Sequence, residues 1–535
     1  MKKEKIRTII TQDAEVDDQN SLRHFLLYAN EVELKGIVQT SSMFHWIGVE
    51  GTKTPPLKED ASFVERMAYA PYDRPNRWTG TDWMFEEIDA YSKVYPNLKR
   101  VSADYPSPEY LRSITKIGNI GYPGEMLSPT EGSELIRENI LANDPRKLYI
   151  QVWGGCNTIA RALLDIQREY GETEIWERLH KDISDKVVLT ACGEQDTTYQ
   201  EYIAREWPDI RFVHSMFMDS YAYTWSTMPE GESKDSLRAS FMKENILTGT
   251  GALLEGYATW MDGKYYEGEP EENQFGANMH LQDNWWGKEV GIGPYVPFDF
   301  LSEGDSPTYF MLFDWGFRTL DDFTYGGVSG RYALNTEKVN AKGKQLNYWS
   351  PQPDNYTDRS GTTVQTDSMW RYVADIQHDF AARAAWCTAK EGDPVETAPA
   401  LTVIEGIDRT AEAGETMIIT AEVRGGGSTA AAKETKRPNA AAYSATVTAR
   451  IYEEASTVSG AVLSCAAVSE KTQDPRRAKE TADHDSYADT PVNAAFTVQI
   501  PASAQPLEKL HIIVQAKNRG RFGLTHYQQV IITIQ

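Results

Sequence analysis

The sequence predicts an α/β chain: an open, mostly parallel sheet with helices on both faces, followed by an immunoglobulin-like β-sandwich. Three observations predict it. Short β-branched runs, each followed by a polar turn and then an amphipathic segment, recur through the first 200 residues. Near residue 395 this pattern stops, and alternating apolar segments between polar turns take over. At 535 residues the chain is too long for one core, so at least two domains are expected, 1–395 and 396–535.

Ile6 to Thr11 is the first β-branched run, and Ser21 to Ala29 reads as the helix after it. Leu34 to Thr40 is a second strand, ending in Ser41-Ser42. A helix over Ser133 to Leu141 precedes a strand over Lys147 to Val152, and the Gly154-Gly155 turn leads into a helix from Thr158 to Tyr170. Val187 to Thr190 is a further strand, closed by a polar turn from Gly193 to Thr198. In such sheets ligands bind beyond the carboxyl ends of the strands, where all these turns lie. Trp225 to Gly361 is rich in Gly, Trp, Tyr and Asn and reads as long loops with a few helices walling a pocket. After Pro394 and Pro399, strands are expected at Leu401–Ile404, Thr416–Val423, Ala445–Tyr452, Ala495–Ile500, Leu510–Ala516 and Gln529–Ile534. Segments 424–442 and 468–490 are polar and read as mobile loops.

Composition narrows the function. Lys and Arg number 54 against 78 Asp and Glu, a formal charge of -24, which argues against a nucleic-acid polymer as partner. An acidic surface first of all favours solubility; it also suits carboxylate sites for a divalent cation. Cys156, Cys192, Cys387 and Cys465 are too scattered for a zinc site or a disulfide framework. No apolar run reaches membrane-spanning length. As it stands the sequence implies a cytoplasmic chain, whereas a trimmed signal peptide would imply a secreted or periplasmic one.

The octet Thr11-Gln12-Asp13-Ala14-Glu15-Val16-Asp17-Asp18 places four carboxylates within six residues, directly after a buried strand. Such crowding is costly unless a cation neutralises it, and hard oxygen ligands favour Ca²⁺ or Mg²⁺ over zinc. An EF-hand starting at Asp13 would need Gly and Glu where Asp18 and His24 stand, so that motif fails. A phosphatase-type Asp-x-Asp pair fails as well, because Glu15 takes its second place. The plain alternative is that these acids solvate a loop and cap the following helix.

The octet resembles the nucleoside-hydrolase signature D-x-D-x-G-x-D-D, with Thr11 and Glu15 departing from it at the first and fifth positions. The narrower resemblance is to bacterial cellulose-binding proteins with a nucleoside-hydrolase-like domain, in which D-x-E-x-D-D is usual. That resemblance continues through YPSPEYLRSITKIGN, WGGCNTIARAL, EGDSPTYF and GGVSGRY. It reaches the end of the chain in YSATVTARIYEEAS and LHIIVQAKNRGRFGLTHYQQVIITI.

The resemblance implies a calcium site made by Asp13, Asp18, the late Asp305 and the backbone carbonyl of Trp153. It makes Asp13 the general base and Asp17 a ligand of sugar hydroxyls. Gly304 stands where the family's usual His precedes the late Asp, which puts nucleobase release in doubt. Glu15, Asn157, Gln195, Asp196, His45 and Glu303 complete the expected sugar-contacting set; helix capping is the plain alternative for Asp305 and Asn157, and a solvated cap for the Glu194-Gln195-Asp196 turn. Trp78, Trp83, Trp225, Trp285, Trp286 and Trp315 are candidate stacking faces, with core packing as their ordinary role. Two functions stay open: a Ca²⁺-dependent, inverting glycosidase acting on a furanoside, and a non-catalytic carbohydrate-binding protein using the same ion. The partner is then a carbohydrate or glycoside, with no membrane, and a homo-oligomer is left open.

Overall fold

The computed structural model describes residues 4–215, 221–269, 275–277, 293–393, 395–424, 445–468 and 492–535. Its first sheet has nine strands: β1 (Arg7–Gln12), β2 (Glu33–Gln39), β3 (Thr115–Ile117), β4 (Leu148–Val152), β5 (Val187–Cys192), β6 (Arg211–Ser215), β7 (Arg331–Leu334), β8 (Tyr348–Thr357) and β9 (Thr363–Asp367). They run in the order β3-β2-β1-β4-β5-β6-β8-β7, with β9 paired to β8. Every pair from β3 across to β8 is parallel, whereas β7 and β9 run antiparallel to β8.

Both faces of this sheet are covered. Ile10 and Tyr149 pack into one core with Leu22 and Phe25 of the helix Val16–Leu26. Their strand neighbours Ile9 and Ile150 enter a second core with Ile159 and Leu163 of the helix Asn157–Tyr170. Parallel strands buried on both sides read as continuous apolar runs, which is why β1, β4 and β5 were legible.

The stretch expected to be mostly loops, Trp225 to Gly361, contains β7 and β8, and β9 follows just beyond it. Pro351 and Pro353 mask β8 in the sequence, because proline cannot donate to a ladder. Only Phe212↔Tyr348 and Val213↔Trp349 pair β8 with β6, ahead of both prolines.

The C-terminal part comprises β10 (Ala400–Val403), β11 (Asp408–Ala411), β12 (Thr416–Arg424), β13 (Ala445–Ile451), β14 (Val462–Val468), β15 (Val492–Gln499), β16 (Lys509–Asn518) and β17 (Thr525–Ile534). They form two sheets, β10-β12-β15-β14 and β11-β17-β16-β13. All pairs are antiparallel except β11 with β17. Leu401, Ile419, Phe496, Ile512, Val530 and Ile532 fill the space between the sheets. The segments read as mobile loops, 424–442 and 468–490, lie almost entirely outside the described residues. No helix among the described residues is long and apolar enough to cross a membrane. Cys156, Cys192 and Cys387 are buried and free; Cys465 is free and exposed.

Candidate metal centre and sugar site

The chain runs outward from β1 to β2 and β3, then returns to place β4 on the other side of β1. This reversal opens a crevice between the carboxyl ends of β1 and β4, the position where open α/β sheets take ligands. Asp13 follows β1 there and Trp153 follows β4.

Ala14 sits at φ 75°, a left-handed conformation rare for a side-chain-bearing residue, and it is fully buried. Such strain persists only where the surroundings enforce it and clusters at functional sites. The helix Val16–Leu26 then starts at once, with Asp17 and Asp18 in its first turn and no side-chain cap from Glu15. Asp18 Oδ1 accepts the Asp13 backbone N–H at 3.1 Å, which closes the loop on itself.

Asp17, Asp18 and Asp305 each offer an oxygen within 4.8 Å of the others. Asp305 arrives from the turn before the short helix Pro307–Phe310, and its carboxylate does not cap that helix. The Asp305 carbonyl accepts from the Thr308 hydroxyl at 2.6 Å, while its Oδ2 is buried without a partner among the described residues. The Trp153 indole N–H donates to Thr308 Oγ1 at 2.9 Å and so ties the end of β4 to the turn that carries Asp305.

Burial and mutual repulsion dominate the electrostatics of these carboxylates. Burial pushes the Asp18 carboxyl well above its usual range, and Asp13, Asp305 and Asp17 push it further. Asp17 is raised by burial, Glu15 and Asp13, and Asp305 by burial, Asp17 and Asp13. Asp13 is the exception: burial alone would raise it, but the adjoining His45 ring holds it below the usual range. Both Asp13 oxygens lack a hydrogen-bond partner among the described residues, although the residue is only 1% exposed. Buried carboxylates stay this way where a metal satisfies them. A hard divalent ion fits this all-oxygen donor set.

Glu15 faces a different group. Its Oε1 accepts the Tyr223 hydroxyl at 3.0 Å, and its Oε2 lies 3.8 Å from His45 Nδ1. Glu269 joins them: burial first and then Glu15 push its carboxyl up to about 7, with Arg77 and His45 pulling the other way. Sequence reading missed Glu269, which lies in an aperiodic Gly/Tyr segment that offers no pattern to read.

The remaining expected contacts divide. The Gln195 side-chain N–H donates to the Trp153 carbonyl and to the Cys192 carbonyl, at 3.0 Å for the latter. It therefore braces the ends of β4 and β5 and takes one lone pair of the proposed calcium ligand, leaving the second. Asn157 is fully committed to structure: its amide donates to Ser41 Oγ, the Asn119 carbonyl and the Glu125 carbonyl, and its oxygen accepts from Thr40. Asp196 accepts from Asn157 N–H at 3.1 Å and Thr198 N–H at 2.9 Å, so it serves the loop and the helix start. Glu303 is fully buried, paired with His24 Nδ1 at 2.7 Å and bonded to Ser306 and Tyr257. A side chain with this many partners has little left for a sugar. Trp83, Trp225 and Trp315 belong to the core and Trp78 is half-buried, while Trp285 and Trp286 lie outside the described residues.

Glycines set the spacing. A Cβ on Gly154 would come 2.8 Å from the Asp13 Cβ, and one on Gly304 would come 3.0 Å from Asp17 Oδ2.

One solved structure shares this architecture. A nucleoside hydrolase-related hypothetical protein from Saccharophagus degradans, associated with carbohydrate metabolism, is 21% identical over 99% of this chain and 100% of its own, at a TM-score of 0.62. A plant nucleoside hydrolase is 9% identical over 71% of this chain and 99% of its own, at a TM-score of 0.30. The type III effector XopQ is 11% identical over 72% of this chain and 95% of its own, at 0.32. No curated protein matches the chain. Residues 432–534 match the C-terminal domain of cellulose-binding protein Sde0182. Residues 7–332 match the nucleoside hydrolase-like domain of cellulose-binding Sde182, and the chain belongs to that family.

Proposed function

We propose that this protein is a calcium-dependent glycoside hydrolase that cleaves a furanoside of ribosyl or arabinosyl type by one-step water attack with inversion. The observation that carries the reading is the Asp13 carboxylate, buried beside Asp18 with neither oxygen bonded among the described residues. Asp13, Asp18, Asp305 and the free lone pair of the Trp153 carbonyl would hold the ion. Bound calcium supplies positive charge that offsets the carboxylates and acidifies a water. Asp13, the one carboxyl of the group held below its usual range, is the residue that would take the proton of the attacking water at its carboxylate. Asp17 and Glu15 would orient the sugar hydroxyls, and their charge would favour the oxocarbenium-like sugar as the aglycone departs, its oxygen taking a proton from solvent. Gly304 leaves no side chain to protonate a nucleobase, which favours C–O over C–N cleavage.

A second reading is non-catalytic binding of a cellulose-like glycan through the same ion, favoured by the cellulose-binding family. A panel of chromogenic furanosides, pyranosides and nucleosides, assayed with and without chelator, separates the two. Furanoside hydrolysis that chelation abolishes, and that Asp13→Asn lowers by orders of magnitude, supports the enzyme. Glycan affinity that Asp13→Asn leaves intact, with no turnover on any substrate, supports the binder. Calcium stabilisation with no effect of any sugar would leave only a structural ion.

A further inference from the structure

His45 follows β2 in a tight turn, with its backbone N–H donated to Ser42 Oγ at 3.2 Å and its carbonyl accepting the Ser42 N–H at 3.1 Å. The ring is fully buried, and neither nitrogen has a hydrogen-bond partner among the described residues. An unbonded imidazole at zero exposure is costly. Its Nδ1 lies 3.6 Å from Asp13 Oδ2 and 3.8 Å from Glu15 Oε2. Both distances exceed a hydrogen bond. They are close to the separation of atoms that share a small cation: an ion about 2.1 Å from two tetrahedral ligands holds them about 3.4 Å apart. The Tyr223 hydroxyl occupies Glu15 Oε1, leaving Oε2 for the side facing His45.

We propose that Asp13, Glu15 and His45 form a second metal position, for Zn²⁺ or a neighbouring first-row divalent ion, beside the calcium carboxylates. Two carboxylates and one imidazole are a borderline donor set, unlike the all-oxygen group of Asp17, Asp18 and Asp305. The second position does not depend on whether the chain hydrolyses anything. It shares Asp13 with the proposed calcium ligands and Glu15 with the proposed sugar contacts.

The probe is Co²⁺, added to the full chain after metal stripping and reloading with Ca²⁺. One equivalent of Co²⁺ is expected to bind with calcium retained, to give the visible absorption of a nitrogen-ligated, low-coordinate site, and to be displaced by Zn²⁺. His45→Gln is expected to weaken Co²⁺ binding by roughly a hundredfold or more. The calcium-induced shift in melting temperature should persist in that variant. Calcium released one-for-one by Co²⁺, or unchanged Co²⁺ affinity in His45→Gln, would overturn the second position. So would no Co²⁺ binding at all, which would leave His45 a charged partner of Asp13. Anomalous scattering from wild-type crystals grown with both ions covers the case in which the variant does not fold. A cobalt peak at His45 upholds the proposal, and one confined to Asp18 and Asp305 rejects it. Absence of any calcium response in the wild type would count against the glycosidase reading and not against this one.

Discussion

The Cβ that Gly154→Ala adds would press on Asp13 at 2.8 Å and on Thr40 Cγ2 at 3.1 Å, with no flexible side-chain end to yield. The nearer contact is the attachment point of the carboxylate itself. Overpacking of this kind costs about 1–3 kcal/mol. We expect it to appear as a loss of calcium affinity of about tenfold or more, read by titration calorimetry, with the circular dichroism spectrum unchanged. Unaltered affinity would remove Asp13 from the metal centre. A second outcome follows from the raised carboxyls of Asp17, Asp18 and Asp305. Without a cation these groups favour the protonated fold. The stability they contribute is present below the ordinary carboxylate range and is lost as pH rises toward their folded values. Calcium would bind ionised Asp18 and Asp305 and favour ionised Asp17 beside them, so its stabilisation, read as a melting-temperature shift, should be larger at pH 8 than at pH 5. An equal shift at both would argue against carboxylate ligation. That Asp13, Asp17, Asp18 and Asp305 come together was legible because a contiguous motif and one late acid carry them. Asn157, Asp196 and Glu303 were not, because the partners that occupy them come from distant loops and from the chain's own backbone.

Elements with one dominant periodicity were found to within a residue or two, as with β1, β4 and the helix Asn157–Tyr170. The first helix begins at Val16, well ahead of the expected Ser21, and takes Asp17 and Asp18 into its first turn. A carboxylate-rich first turn reads as loop in the sequence, although the helix dipole favours it. β11 and β14 escaped for another reason: both lie at sheet edges, and the Asp-Arg-Thr-Ala of β11 has almost no apolar signal. The short helix Pro307–Phe310 has too few residues to show a period, yet it follows directly on Asp305. Its attachment to β4 is the Trp153–Thr308 hydrogen bond. Trp153→Phe deletes that donor and should cost about 1 kcal/mol in urea unfolding. It should also shrink the calcium-induced melting shift, because Asp305 is then less firmly placed. A stability loss with the full calcium shift retained would separate the helix tie from the metal centre.

At the scale of the whole molecule, the sandwich strands were readable from alternation, but the way they seat on the α/β part was not. Tyr452, Ile513 and Tyr527 enter the same core as Phe25 and Tyr309, and Asp375 accepts hydrogen bonds from Thr525 and Tyr527. Polar pairs across such a junction leave no local pattern. His511 of β16 is one of them: it is almost fully buried, its ring meets Tyr325 edge-on at 4.7 Å, and its Nδ1 lies 3.2 Å from Gln529 Nε2. Burial, with Lys509 and Arg318 nearby, pushes the imidazole down to about 4, against a weaker upward pull from Asp322. The unfolded chain keeps an ordinary histidine near 6.5. Between those values the unfolded state binds more protons than the fold, so stability falls as pH drops from about 6.5 through about 4. The full loss attributable to this one ring is on the order of 3 kcal/mol, present above the window and gone below it. His511→Gln removes the titrating group, so its urea midpoint should fall less than that of the wild type across the same window. Parallel pH profiles for the two proteins would mean that the ring accepts its proton without disturbing the junction.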